Sequence, residues 1–149
     1  MKVIAVILTI SILYSNKIGA QKQDEEGVKF VISQFFEGMK KSDTSMIRTV
    51  NFSGARLETV LKDKQGNTAV RSENFDEFLK MIAKPHTEVY DERIRFSSVL
   101  VDDNLATAWT PYQFYIGDKF SHQGVNAFQL VKTREGNWMI FSIIDTRRK

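Results

Sequence analysis

The 149-residue sequence has no cysteine, two prolines and two histidines. Without cysteine there is no disulfide framework, no thiolate metal site and no cysteine nucleophile. His86 and His122 are far apart and belong to no HExxH-type spacing, so no metal site is expected. A phosphate loop, a dinucleotide fingerprint and a G-x-S-x-G elbow are also missing, which sets aside nucleotide cofactors and serine hydrolase chemistry. Excess charge of one sign is lacking as well. Against 21 basic side chains stand 18 acidic ones, and removing residues 1–20 would take away Lys2 and Lys17, leaving 19. A chain so close to neutral carries no phosphate-binding footprint, so nucleic acid is not expected as a partner.

One apolar run stands out, from Val3 to Leu13, after Lys2 and before the polar "YSNK" and the small-residue end "IGA". This is the three-part pattern of a secretory signal peptide, with cleavage expected after Ala20. The run is about half the ~20 residues that span a bilayer, so no membrane association is expected once it is removed. The protein is therefore expected to be exported, to the periplasm or the cell exterior. Residues 21–149 suit one domain with its own core.

From Asp24 onward, Val28, Val31, Ile32, Phe35, Phe36 and Met39 predict a helix with one buried stripe, opened by acids and closed by Lys40 and Lys41. Asp43 is placed to cap a short second helix. A hairpin is predicted over Arg56–Lys62 and Thr68–Arg71. A third helix follows from Phe75 to Ala83, with Asn74 and Glu77 at capping-box spacing. The remaining segments, "YDERIRFSSVLV", "LATAWTPYQFYI", "KFSHQGVNAFQLVKT" and "WMIFSIID", read as strands separated by turn signals. Helices first and an antiparallel meander afterwards predict an α+β fold, with three helices packed on one face of a curved sheet.

Short turns fix which side chains share a face. A Gly117-Asp118 turn puts Trp109 opposite Asn126 and Leu105 opposite Leu130. A Glu135-Gly136 turn puts Leu130 opposite Phe141, Phe128 opposite Ile143 and Asn126 opposite Asp145. The turn near Asp103 sets Ser98 opposite Trp109 and Glu92 opposite Tyr115. One face then carries Leu100, Leu105, Trp109, Phe120, Phe128, Leu130, Phe141 and Ile143, with Ser98, Asn126 and Asp145 as a polar inset beneath the helices. The other carries Ala106, Ala108, Val125, Ala127, Val131, Ile140 and Ile144, a smaller apolar surface that a homodimer would cover. A bulge near Pro111 would reverse the facing of everything beyond it.

The stretches "DERI", "AWTPYQFYIGDKFSHQGVNAFQLVKT" and "NWMIFSIIDTRR" carry a resemblance to the nuclear transport factor 2-like superfamily. Within it the chain looks most like an exported bacterial group named for lumazine binding. The resemblance implies a cone-shaped α+β fold and, from the group's name, a flat heteroaromatic ligand. The superfamily also includes isomerases, dehydratases and polyketide cyclases, so fold alone does not assign an activity.

Asp145 follows five apolar residues in the six before it, and beside Asn126 it is the most chemical position in the chain. As a site it would be an acid at a pocket wall, placed to give or take a proton, with Asn126 orienting it and Trp109 stacking on a planar ligand. Ser98, Phe128, Tyr115 and a second acid, Glu92, would complete the lining. As structure it would be a strand-end carboxylate paired with Arg147, Arg56 or Arg93. A His122–Asp145 dyad is not expected, because four residues of strand separate their levels by roughly 13 Å. The expected function is a small-molecule-binding or accessory domain without cofactor. The alternative is a cofactor-independent isomerase, dehydratase or cyclase using Asp145 as acid or base.

Overall fold

The computed structural model describes the backbone of residues 3–149 and side chains from residue 19 onward. The signal peptide predicted over residues 1–20 lies, but for its last two positions, outside the residues whose side chains are described. Three helices, α1 (Val3–Lys41), α2 (Thr44–Val50) and α3 (Phe75–Ala83), accompany seven strands. These are β1 (Asn51–Lys62), β2 (Thr68–Glu73), β3 (Tyr90–Ile94), β4 (Ser98–Asp102), β5 (Leu105–Ile116), β6 (Lys119–Lys132) and β7 (Trp138–Arg148).

The predicted stripe of α1 is buried from Val28 to Met39. Asp24, expected to open the helix, lies inside it. Its carboxylate instead accepts hydrogen bonds from Lys132 Nζ at 2.5 Å and Trp138 Nε1 at 3.1 Å, tying α1 to the last hairpin. Asp43 caps α2 as predicted, accepting from the amides of Ser45 and Met46. Asn74 caps α3 in the same way. The reciprocal half of that capping box is not made, because Glu77 pairs with Lys80.

The sheet runs in the order β2-β1-β7-β6-β5-β3, with β4 also paired to β5. Every pairing is antiparallel except β1 with β7, which is parallel. The helices cover one face of this curved sheet, the α+β cone that the element order predicts.

Three register corrections reshape the predicted faces. "YDERIRFSSVLV", expected as one strand, is two. Arg95 and Ser97 bond to the carbonyls of Pro111 and Trp109 at the jog between them, so Glu92 stands opposite Phe114 and not Tyr115. The Gly117-Asp118 turn forms as expected, but Ser121 is then an extra residue on β6. This bulge, on the strand opposite Pro111, sets Trp109 against Ala127 and Thr110 against Asn126. Ala106, Ala108 and Thr110 consequently point into the core. Leu100, Leu105, Trp109 and Phe120, predicted to lie beneath the helices, are on the outer face and between 47% and 65% exposed.

The last hairpin holds two deviations that cancel. Its loop closes with Thr133 N bonded to Asn137 O and Gly136 in the left-handed region, a three-residue loop one residue longer than the expected turn. That pairs Leu130 with Ile140 and buries Ile140 in the core. Phe141 is then the extra residue on β7, and beyond it the predicted pairings Phe128–Ile143 and Asn126–Asp145 are restored.

Candidate functional site

Five strands contribute one row of cross-strand neighbours: Thr110 on β5, Asn126 on β6, Asp145 on β7, Thr59 on β1 and Arg71 on β2. The row lies on the helix-covered face. At its centre Asp145 is buried, and both of its oxygens are engaged. Oδ1 accepts from Thr59 Oγ1 at 2.5 Å, and Oδ2 accepts from the Tyr112 hydroxyl at 3.0 Å and from Arg147 Nε at 3.1 Å. The Tyr112 proton is shared with the carbonyl of Thr146, also at 3.0 Å.

Tyr112 reaches that far because Gly124 stands opposite it on β6. A Cβ at position 124 would lie 1.7 Å from Thr146 O and 2.7 Å from Tyr112 Cε1, so the glycine is the space the ring needs. Arg147 is the next neighbour of Gly124 across the sheet. Of the three arginines considered as partners for Asp145, Arg147 is the one used. Arg93 pairs with Asp91, and Arg56 lies over the Phe141 ring.

Glu92 enters from β3, its Oε1 accepting from Asn126 Nδ2 at 2.8 Å. Burial pushes its carboxyl up to about 7, against the opposing effect of the Asn126 bond and with a further push from the Asp145 charge. Burial also drives the Tyr112 phenol upward, helped by the two neighbouring carboxylates. It lowers His122, with Arg147 adding to the effect.

These groups border a two-lobed cleft. The inner lobe, about 90 Å³, lies among Phe35, Phe36, Leu57 and Ile143. The outer lobe, about 300 Å³, opens among Tyr90, Tyr112, Phe114, Ile116 and His122. Met39, Phe78, Glu73, Glu92, Asp145 and Arg147 border both. A wider groove of about 730 Å³ runs along Asn51–Glu58 and the start of α3. It is the larger space, but the buried titratable groups converge on the cleft.

Of the predicted site residues, Asp145, Asn126 and Glu92 meet at this cleft. Phe128 is fully buried in the core behind it, packed edge-on against Phe36. Ser98 and Trp109 lie on the opposite face of the sheet, and Tyr115 sits there too, beneath the Arg93 guanidinium at 4.0 Å. One extra residue at Ser121 accounts for the loss of Trp109. Tyr112, which is not among the predicted lining residues, is in the site. Thr59 and Gly124 were not anticipated, although a Tyr–Gly cross-strand pair is readable once the register is known. His86 is partly buried, with Ser42 Oγ at 3.0 Å from its Nε2 and Tyr90 stacked on its ring. Among the described residues no group of three or more His, Cys, Asp or Glu side chains is placed to hold a metal ion. No helix among them is long and apolar enough to cross a membrane.

The sequence matches no family model and no curated protein sequence. Solved structures are similar to it across most of its length. An NTF2-like protein of unknown function from Shewanella baltica OS155 is 18% identical, with a TM-score of 0.64 over 85% of this chain and 95% of its own. A conserved protein from Planctomyces limnophilus DSM 3776 is 13% identical, with a TM-score of 0.67 over 85% and 98%. A candidate dehydratase of the NTF2-like family from Streptomyces avermitilis is 16% identical, with a TM-score of 0.61 over 86% and 98%. At such identities the likeness is one of architecture. The chain has the nuclear transport factor 2-like fold that its strand-rich half resembles.

Proposed function

We propose that the protein binds a small, partly apolar molecule in the two-lobed cleft. One observation carries this reading: polar groups that converge between phenylalanine and methionine walls, beside an outer lobe of about 300 Å³. That is the size and make-up of small-molecule sites, in which apolar walls bury the ligand and a few polar atoms orient it. The pattern of residues 1–20 supports an exported location, and the exposed apolar outer face of the sheet supports a homodimer.

Native mass spectrometry of the protein purified from its own host tests the reading. It should show a dimer retaining a ligand on the order of a few hundred daltons, the size such a cleft holds. If the protein emerges empty and no member of a small-molecule library shifts its melting temperature, the binding reading fails.

A second reading, a cofactor-independent isomerase, dehydratase or cyclase, is favoured by Glu92. Its carboxyl titrates near 7, and Oε1 is held by Asn126 while Oε2 is bonded to no described residue, as a general acid or base requires. In this reading Glu92, and not Asp145, carries the proton, because both Asp145 oxygens are already held by donors of the sheet. Turnover of a substrate found in the cleft that survives Glu92→Gln undiminished would remove this second reading.

A further inference from the structure

The hydrogen-bond shell of Asp145 poses a question that a catalytic acid does not answer. Two neutral donors and one cation fix it, and all three come from the sheet itself. Such a carboxylate is poorly placed to exchange protons, but it is well placed to hold whatever donates to it. Thr59 and Tyr112 are buried or nearly so, whereas the Arg147 side chain is 45% exposed and borders both lobes of the cleft.

Arg147 binds Asp145 through Nε alone. Among the described residues its two Nη groups donate to no partner. A guanidinium anchored at Nε presents its Nη1–Nη2 edge as a rigid pair of donors, spaced to match the two oxygens of a planar carboxylate. Arg71, at the far end of the same cross-strand row, borders the outer lobe and adds positive charge there. Apolar surface lies next to this edge: the Phe35 and Phe78 rings stack at 5.9 Å on one side, and Tyr90 and Phe114 line the other.

We propose that Arg147 is the receptor for a carboxylate carried by an aromatic or otherwise apolar ligand, and that Asp145 is the residue that positions Arg147 to receive it. The inference rests on the cleft being a small-molecule site and names the ligand class: apolar organic acids. The acids bordering the cleft do not oppose this. The Asp145 charge is balanced by the Arg147 guanidinium, and Arg71 supplies the excess positive charge at the outer lobe. Glu92, titrating near 7, takes up a proton beside an incoming anion and then donates to it. Glu58, which lines the inner lobe, and Glu73 are only partly buried and are screened by solvent.

The test uses 2-naphthoate and its neutral isostere 2-naphthamide as probes, titrated into the purified protein and followed by ligand-observed NMR. A charge-assisted, bidentate contact should make naphthoate bind roughly tenfold more tightly than naphthamide. Arg147→Gln should reduce that preference to about twofold or less, weakening naphthoate far more than naphthamide. Arg147→Lys, which keeps the charge but loses the paired donors, should fall between the two. Asp145→Asn should also erode the preference with Arg147 intact, which a merely structural carboxylate would not do. Because that variant disturbs a buried cluster, the partly exposed Arg147→Gln is the decisive one. Equal binding of acid and amide by the unaltered protein overturns the anion receptor and leaves the cleft reading standing. If neither probe binds, the anion receptor is overturned, while the cleft reading is decided separately by the retained ligand and the library screen.

Discussion

Tyr112 stands directly opposite Gly124, and its ring uses the room left by the missing side chain to set its hydroxyl on Asp145 two strands away. The clash that any Cβ at position 124 would make is with the carbonyl of Thr146, which is backbone and cannot swing aside. Gly124→Ala should therefore lower stability by about 3 kcal/mol, the upper end of overpacking costs. An unfolding free energy from urea denaturation within about 0.5 kcal/mol of the parent, at unchanged slope, would contradict this arrangement.

Tyr112 and Thr59 clamp one carboxylate from opposite sides. Tyr112→Phe keeps the ring and deletes one donor, and Thr59→Val keeps the shape and deletes the other. Each should cost about 1–2 kcal/mol, because the acceptor is charged and buried. The two should not add, since both act on Asp145. Urea denaturation of the single and double variants measures the coupling, and strict additivity would mean that the two donors act independently.

The raised carboxyl of Glu92 gives a pH signature with a definite sign. Its ordinary value is 4.5 and its folded value about 7, so between those limits the native state holds a proton that the unfolded chain releases. This contribution is full below about 4.5 and is lost as pH rises through 7, amounting to roughly 2–3 kcal/mol. Glu92→Gln retains an acceptor for Asn126 and removes the titration. Relative to the parent, the variant should gain stability from pH 4.5 to 7.5, and a constant difference across that range would refute the shift.

On the outer face, Trp109, Ala127 and Ile144 form a cross-strand row flanked by Leu100 and Leu105. If this surface joins two copies, Trp109→Glu should convert a dimer into a monomer and leave the fold unchanged. Sedimentation velocity with circular dichroism separates that result from simple unfolding. A parent protein that sediments as a monomer would dispose of the interface.

The helices, their caps and the strand-rich second half could be read from the sequence because each rests on local chemistry. The Val28–Met39 stripe, Asp43, Asn74 and the glycine turns act over a few residues. Facing across the sheet could not be read so directly. It accumulates every extra residue between a turn and the position of interest, and Ser121 sits in an unremarkable polar stretch with no glycine to announce a bulge. Asn126 and Asp145 were placed together only because the extra residue in the Thr133–Asn137 loop and the bulge at Phe141 offset each other. Glu92 reached the cleft by a similar cancellation, its shifted register meeting a reversed β5. Thr59 lies beyond reach of any turn argument, since β1 joins β7 in parallel across 86 residues.

That parallel pairing gives the molecule an order of assembly. The β1–β2 hairpin can form early, but one edge of β1 waits, with its backbone groups unpaired, for the strand that emerges last. A nascent chain can thus have its helices, its first hairpin and most of its meander in place while the floor of the cleft does not yet exist. The cleft floor is completed in the same step that seals the vulnerable edge.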